Sequence, residues 1–164
     1  MSETFTARVW VLGDDIDTDI IIPTEYLALK TIDDMKQYGF SPLRPELAAQ
    51  IKPGDIIVAG KNFGCGSSRE QAPEIIKALG IQCVIAKSFA RIFFRNSINN
   101  GLLLIEQPTL YDDIKEGDTV SVVMNEHIDY NGNEYPIASL PENLMDIIRA
   151  GGLVKAMRKL NGLD

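Results

Sequence analysis

The 164-residue sequence predicts an α/β protein with a parallel sheet. Short apolar runs at residues 56–59, 83–86 and 102–105 indicate buried strands. Helical patterns at 71–79 and 88–100 separate these strands, and a glycine follows each pattern. The composition, with 45% hydrophobic and 24% charged residues, is that of a globular domain. Strands and helices that alternate at this spacing are typical of parallel strand pairing.

The other elements follow from the same kinds of pattern. In chain order they are a strand at 8–12, short helices at 32–38 and 46–51, alternating strands at 119–125 and 127–137, and helices at 141–150 and 153–160. The dipeptide Asn131-Gly132 is a hairpin signal, so it predicts an antiparallel turn late in the chain. Because domains average about 150 residues, the chain is predicted to be a single domain over residues 1–164.

Charge and hydropathy exclude several classes of partner. The net charge of −7, from 23 acidic and 16 basic residues, disfavours nucleic acid and anionic membranes. No apolar stretch approaches the roughly 20 residues that a transmembrane helix needs. The first ten residues lack the basic start and apolar centre of a signal peptide. We therefore expect a soluble, cytoplasmic protein that binds neither nucleic acid nor a membrane.

The small number of cysteine and histidine residues limits the metal sites and the catalytic groups that this chain can provide. Cys65 and Cys83 are the only cysteines, and in a cytoplasmic chain we expect both to be reduced. Two cysteines do not supply the usual four thiolates of an iron–sulfur cluster, so this chain is expected to bind no metal by itself. His127, the only histidine, lies in an alternating stretch and is interpreted as a structural residue of a strand. Catalysis would use hydroxyl, carboxylate, amine or guanidinium groups, or groups of a partner chain.

A glycine-rich turn predicts an anion site. Three glycines lead from a buried strand into a helix that is expected to begin near Ser67 or Ser68. Glycine lets the backbone approach a ligand, and the free N–H groups of a first helical turn attract anions. The two hydroxyls and the Arg69 guanidinium suit a carboxylate or a phosphate. The alternative is ordinary capping, with either serine as the N-cap and Glu70 or Gln71 completing a capping box.

Three other features of the sequence are candidate ligand-binding elements. Residues 88–91 follow the next strand, and ligands gather at the carboxyl ends of parallel strands. Arg91 and Arg95 lie four positions apart on one helix face, which is either part of the anion site or a solvated basic face. The acidic stretch 14–19 lacks the glycine and the distal glutamate of a calcium hand. A calcium site is therefore not expected there, and the alternative interpretation of this stretch is an ordered turn in which aspartate side chains cap backbone N–H groups.

Three ordered blocks of residues carry a family resemblance. They run from Gly13 to Pro23 with Tyr26-Leu27, from Asn62 to Ala72, and from Ala86 to Phe93 with Asn96 and Gly101-Leu102. The first block contains Asp-Asp-Ile-Asp-Thr-Asp, and the second contains Gly-Cys-Gly-Ser-Ser-Arg-Glu. By these blocks the sequence resembles the small subunits of 3-isopropylmalate dehydratase, in the aconitase superfamily. Its length is similar to that of the short archaeal type.

The resemblance implies a fold, a partner and a reaction. The fold is a swivelling three-layer β/β/α domain like the aconitase C-terminal domain. The partner is a separate large subunit that carries a [4Fe-4S] cluster, and the reaction removes water from a hydroxylated di- or tricarboxylate and adds it back. The implied catalytic residues are Ser67, as the base that takes a proton from carbon, and Asp19. The implied substrate-binding residues are Gly66, Ser68 and Arg69.

The resemblance also implies a specificity loop, Tyr26-Leu27-Ala28-Leu29, which predicts the substrate. Homoaconitase-like members resemble Tyr-Leu-Arg-Thr there, and their arginine would pair with a third carboxylate. Ala28 offers no such cation, so an extra carboxylate would be buried without a partner. An alkyl-substituted malate is therefore favoured, first of all isopropylmalate in leucine biosynthesis. Dimethylmalate, citramalate and homoaconitate-type substrates are the alternatives, as is a non-catalytic module that only holds a carboxylate.

Overall fold

The computed structural model describes residues 4–162, whose strands form one mixed seven-stranded sheet. The strands are β1 (Thr4–Val11), β2 (Ile56–Ala59), β3 (Cys83–Ala86), β4 (Leu103–Glu106), β5 (Thr119–Val123), β6 (His127–Tyr130) and β7 (Asn133–Pro136). Their order is β4-β3-β2-β1-β5-β6-β7, in which β1 to β4 run parallel and the remaining pairings are antiparallel. The parallel unit and the hairpin at Asn131-Gly132 are confirmed. The expectations for the first residues and for a domain over 1–164 extend beyond the described residues.

Strand β1 is the centre of the sheet and begins earlier than the sequence indicates. It was expected at 8–12 and spans Thr4–Val11. Its first five residues pair with β5 and its last three residues pair with β2, so it joins the antiparallel and parallel halves. The first four residues alternate between more and less exposed positions, so they contain no apolar run that would reveal a strand.

The helices cluster between the parallel strands and at the end of the chain. They are α1 (Thr18–Ile21), α2 (Ile32–Lys36), α3 (Leu47–Gln50), α4 (Gln71–Ala78), α5 (Arg91–Asn99), α6 (Leu110–Asp113), α7 (Glu142–Ala150) and α8 (Leu153–Leu160), with a 3₁₀ turn at Thr24–Ala28. The sequence patterns do not predict α1, α6 or the 3₁₀ turn, which have four or five residues each. No helix within residues 4–162 is long and apolar enough to span a bilayer.

Two hydrophobic clusters define three layers. One cluster joins the parallel strands, through residues such as Ile57, to the helices, through residues such as Ile75. The other joins the opposite face of the same strands, through residues such as Ile56, to the antiparallel strands, through residues such as Val122. Antiparallel strands, parallel strands and helices therefore stack in the β/β/α order that the family resemblance implies.

Asp55, the residue before β2, is a buried carboxylate that ties β1 to β2. Its Oδ2 accepts hydrogen bonds from the Trp10 indole (2.8 Å), the Lys52 amide (2.9 Å) and the Arg8 guanidinium (2.9 Å). Burial by itself raises the pKa of Asp55, but these three donors outweigh burial and hold the pKa below its usual value. The ionised form is therefore more stable in the folded protein than in the unfolded chain.

Asp55→Asn is expected to lower the free energy of unfolding by about 1.5–3 kcal/mol at neutral pH, because charge-assisted hydrogen bonds are lost. The carboxylate contributes fully above its unfolded pKa of about 3.9, and the contribution disappears as pH falls through the lower folded pKa. Urea unfolding of wild type and variant at about pH 7 and about pH 3 measures this difference, which should shrink at the lower pH. The exposed Asp33→Asn is the control. If Asp55→Asn lowered the free energy of unfolding equally at both pH values, the stabilising role of the ionised Asp55 carboxylate would be contradicted.

Candidate active site

The serine loop, residues 60–70, connects the carboxyl end of β2 to helix α4. Two of its glycines adopt left-handed backbone conformations, Gly64 at φ 84° and Gly66 at φ 90°, which are strained for residues with a side chain. A Cβ on Gly64 would also overlap the ring of Phe93. These glycines permit a turn that leaves Ser67 and Ser68 exposed.

Hydrogen bonds from the segment around the start of α1 anchor the serine loop. The Gly64 amide donates to the Ile16 carbonyl oxygen (2.7 Å), and the Thr18 amide donates to the Cys65 carbonyl oxygen (2.9 Å). The hydroxyl of the buried Thr18 donates to the carbonyl oxygen of Ser67 (2.6 Å), which lies 49 positions away in the chain. The position of Ser67 therefore depends on a part of the chain that is remote in sequence.

Helix α4 begins at Gln71, so the expectation of a helix that starts near Ser67 or Ser68 is wrong. Glu70 is the N-cap residue, and no side chain caps the helix, so the alternative of a serine cap with a capping box is also wrong. The contacts of Ser67 and Arg69 with the segment around α1 account for the late start, because they keep this part of the chain out of helical geometry. The N–H groups of the first turn therefore do not directly follow Ser67.

The Arg69 side chain braces the serine loop against the segment after α1. Its Nη1 donates to the Ile22 carbonyl oxygen (2.6 Å), and its Nη2 donates to the Thr24 hydroxyl (2.7 Å). Nη1 also lies 3.4 Å from Oδ1 of Asp19. The Arg69 side chain is 14% exposed and that of Asp19 is 62% exposed. The structure thus brings two of the predicted site residues together, and it gives Arg69 internal partners that the sequence did not reveal.

The segment after β3 packs beside the serine loop. The Phe63 amide donates to the Ser88 carbonyl oxygen (3.0 Å), and the Ala90 amide donates to the Phe63 carbonyl oxygen (3.0 Å). These bonds form a short parallel bridge that keeps the segment extended. Helix α5 therefore begins at Arg91, and the expected start at Ser88 or Phe89 is wrong. The expectation that the two turns meet at the carboxyl ends of the strands is confirmed.

A cavity of about 230 Å³ lies between the serine loop and the start of α5. Its lining includes the predicted binding residues Gly66, Ser68 and Arg69, together with Thr18, Arg91 and Asn96. The Asn96 amide donates to the Ser68 hydroxyl at 3.5 Å. Ser67 and Asp19 are exposed and lie outside this lining. The cavity therefore unites the predicted binding residues, while the two predicted catalytic residues lie on the surface.

The two arginines of α5 have different surroundings. Both are exposed, and among the described residues neither side chain has a hydrogen-bond or ion-pair partner. Arg91 lines the cavity, whereas Arg95 does not. The interpretation as a solvated face therefore suits Arg95, and Arg91 adds positive charge to the cavity.

The predicted specificity loop coincides with the 3₁₀ turn Thr24–Ala28 and the residue after it. Ala28 is exposed, whereas the other three side chains pack against the helix-side core: Tyr26, Leu27 and Leu29. None of the four lines the cavity. The loop is connected to the site through Thr24, whose hydroxyl accepts the hydrogen bond from Arg69.

The acidic stretch 14–19 forms an ordered turn, and the capping interpretation is confirmed. Oδ1 of Asp14 accepts a hydrogen bond from the Lys61 amide (2.8 Å), and Oδ1 of Asp17 accepts one from the Ile20 amide (2.8 Å). The first bond holds the start of the serine loop, and the second caps α1. These aspartates therefore organise the backbone around the site.

The two cysteines do not suit a metal or a cluster. Both are free thiols, with Cys83 fully buried in β3 and Cys65 partly buried in the serine loop. Burial, and then the charges of Asp17 and Asp15, raise the pKa of the Cys65 thiol. Burial raises the pKa of Cys83 far above its usual value. An iron–sulfur cluster takes four thiolates as a rule, and this chain has two cysteines, one of them fully buried in a strand, so they do not fit a cluster on this chain.

His127 lies on β6, as the sequence predicts, and contacts two carboxylates. Its Nε2 lies 3.1 Å from Oδ1 of Asp129 and 3.8 Å from Oε1 of Glu134. Within the described residues, these three side chains form a group whose ligand atoms are close enough to hold a metal ion. The group lies on the antiparallel strands, whereas the serine loop follows a parallel strand, so it is separate from the candidate active site.

The fold and the serine loop correspond to a known class of domain. The family model of the aconitase C-terminal domain matches residues 19–110, which is more than half of the chain. The matched range includes Asp19, the serine loop and the start of α5. The class is therefore that of aconitase C-terminal domains.

Comparison with similar proteins identifies the family within this class. The 3-isopropylmalate dehydratase small subunit of Lachnospira eligens is 79% identical over 164 residues, which is 100% of both chains. Small subunit 1 of the same enzyme from Archaeoglobus fulgidus is 50% identical over 93% of this chain and 96% of its own. The crystal structure of 3-isopropylmalate dehydratase from Methanocaldococcus jannaschii superimposes with a TM-score of 0.90, at 41% identity over 97% of this chain and 96% of that one. The chain belongs to the family of 3-isopropylmalate dehydratase small subunits.

Proposed function

We propose that this chain acts with a large subunit as a hydro-lyase that interconverts 3- and 2-isopropylmalate in the cytoplasm, as a step of leucine biosynthesis. The observation that carries the proposal is the identity of 79% over its whole length with a protein of that name. The cavity beside the serine loop, lined by two arginines and a serine, supports a small dicarboxylate as the substrate.

In this proposal Ser67 is the base, as an alkoxide. It takes the proton from the carbon next to a carboxylate and becomes a neutral hydroxyl, and the C–H electrons form the C=C bond. The hydroxyl on the neighbouring carbon leaves as hydroxide, which takes up a proton from an acidic group of the partner subunit to become water. The reverse addition in the other orientation gives the isomer. The Ser67 alkoxide requires positive charge nearby, and Arg69 and Arg91 are the cations of the adjacent cavity. Asp19, paired with Arg69, is proposed to act with groups of the partner.

The [4Fe-4S] cluster is proposed to lie on the large subunit. The cysteine count supports that assignment, because two cysteines, one of them buried in a strand, do not supply the usual four thiolates of a cluster. The contribution of this chain is then to bind the substrate through Gly66, Ser68 and Arg69 and to provide the base. Neither a nucleic acid nor a membrane has a part in this proposal.

Reconstitution tests the proposal. The purified chain, a purified large subunit from the same source and their mixture are assayed for dehydration of 3-isopropylmalate, and we expect activity in the mixture alone. A large subunit that is equally active without this chain would contradict the proposal and favour a non-catalytic carboxylate-binding module.

Ala28→Arg is expected to shift substrate preference from isopropylmalate towards homoaconitate. Ala28 is exposed in this chain and offers no cation. Where the large subunit covers this loop in the assembled enzyme, a desolvated carboxylate without a partner costs several kcal/mol, whereas a missing methylene costs about 1–3 kcal/mol. Arginine supplies the partner and crowds the alkyl group. The measurement is kcat/KM of the assembled enzyme for isopropylmalate, dimethylmalate and homoaconitate, with Ala28→Gln as the uncharged control. An unchanged ranking of the three substrates would show that this loop does not select the substituent.

A further inference from the structure

We propose that Thr18 is a positioning residue that fixes the direction in which the Ser67 side chain leaves the serine loop. The proposal rests on the proposed role of Ser67 as the base. Thr18 does not act on the substrate in this proposal; it acts through the backbone of the residues that surround Gly66.

Thr18 holds the serine loop on both sides of Gly66. Its amide donates to the carbonyl oxygen of Cys65 (2.9 Å), and its hydroxyl donates to the carbonyl oxygen of Ser67 (2.6 Å). A Cβ placed on Gly66 would lie 3.6 Å from the Thr18 hydroxyl oxygen, so the side chain faces the open side of the glycine. One residue thus holds both neighbours of Gly66 by hydrogen bonds.

Thr18 is itself firmly held. It is 2% exposed, and it is the first residue of α1, whose N-cap side chain, that of Asp17, accepts a hydrogen bond from the Ile20 amide (2.8 Å). The Thr18 carbonyl oxygen accepts a hydrogen bond from the Ile22 amide (2.9 Å). The side chain is β-branched, which restricts its rotamers. The hydroxyl therefore has a fixed direction from which to hold the loop.

The loop needs such an external anchor because of its own sequence. Gly66, at φ 90°, has no side chain that would limit its backbone, and Ser67 follows it directly in exposed irregular structure. The sequence pattern predicts a helix that begins near Ser67 or Ser68, and the hydrogen bonds of such a helix would limit the position of this part of the loop. In the structure α4 begins only at Gln71. A catalytic group that moves by about 1 Å can lose about 10²-fold in rate, so the hydrogen bond to the Ser67 carbonyl oxygen has a direct influence on catalysis.

Substitutions of Thr18 in the assembled two-subunit enzyme test this role. Thr18→Ser and Thr18→Ala form a matched pair, because both lose the methyl group and only serine keeps the hydroxyl. We expect serine to keep kcat within about threefold of wild type and alanine to lower it by about 10²-fold, with KM within about twofold for both. Thr18→Val, which keeps the shape and loses the hydroxyl, should resemble alanine. Thr6→Val removes a hydroxyl from an exposed pair with Ser121 and should leave kcat unchanged.

The Ser67→Ala background separates this inference from the proposed function. If Thr18 acts through Ser67, Thr18→Ala lowers kcat in the wild-type background and has no further effect on the residual rate of Ser67→Ala. Equal kcat for the serine and alanine variants, or equal losses in both backgrounds, would overturn the positioning role. If Ser67→Ala keeps full activity, the proposed base is wrong, whatever the Thr18 variants do. Melting temperatures of the free chain show whether each variant is folded, and the hydroxyl comparison stands on Thr18→Val if alanine does not fold.

Discussion

Ser67→Ala is expected to lower kcat of the assembled enzyme by about 10²–10⁴-fold, the range that is typical for loss of a general base. Ser67 is exposed beside the cavity, and its hydroxyl is not engaged by another described side chain, so a substrate carbon can approach it. Its backbone, rather than its side chain, carries the hydrogen bond to Thr18, so the substitution should leave the loop in place. The measurement is steady-state kinetics with isopropylmalate.

The control for this prediction is Ser139→Ala. The Ser139 hydroxyl donates to the Asn125 carbonyl oxygen in the antiparallel half of the chain, and its loss should leave the rate unchanged. A Ser67→Ala enzyme whose KM rises while kcat stays constant would show that the hydroxyl binds substrate and is not the base.

Arg69→Lys is expected to reduce kcat/KM by about 30- to 160-fold, which corresponds to about 2–3 kcal/mol of lost transition-state stabilisation. The guanidinium reaches the Ile22 carbonyl oxygen and the Thr24 hydroxyl with two separate nitrogens, and it keeps charge beside Asp19. Lysine keeps the charge, but its single ammonium does not reproduce the planar fork. We expect the serine loop to be held less firmly and a substrate carboxylate to be bound less tightly.

Arg91→Lys and Arg95→Lys are the matched controls for Arg69→Lys. Among the described residues, neither of these side chains has a partner that depends on the shape of a guanidinium. We therefore expect mild effects, larger for Arg91, which lines the cavity, than for Arg95. Equal, mild losses at all three positions would show that Arg69 neither braces the loop nor binds substrate.

The parallel half of the fold was predictable because its strands are short, apolar and buried on both faces. The strands at 56–59 and 83–86 were located without error, since every residue in them is buried. The beginnings of α4 and α5 were not predictable in the same way. Local patterns favoured earlier starts, but hydrogen bonds from Thr18 and Phe63 to neighbouring segments keep the preceding residues extended or irregular.

The sequence motifs predicted which segments form the candidate site, but they did not predict the hydrogen bonds that hold these segments together. The serine loop and the segment after β3 meet as expected, since both follow parallel strands. Thr18 was missed as a site residue, although it stands in the Asp-Thr-Asp run beside Asp19, because nothing in one sequence indicates a hydrogen bond across 49 positions. The internal partners of Arg69 were missed for the same reason.

The hydrogen bond between Thr18 and Ser67 also has a consequence for the order in which the protein folds. Bringing Thr18 and Ser67 together closes a loop of 49 residues, which costs conformational entropy. Other contacts between the two ends of this loop must offset that cost, and the pairing of β1 with β2 lies next to them. We therefore expect the arrangement of the serine loop to form only after β1 has paired with β2. A fragment that contains β2 to β4 would carry the Gly-Ser-Ser-Arg residues in sequence but would lack Thr18 and Ile22, the residues that give them their arrangement.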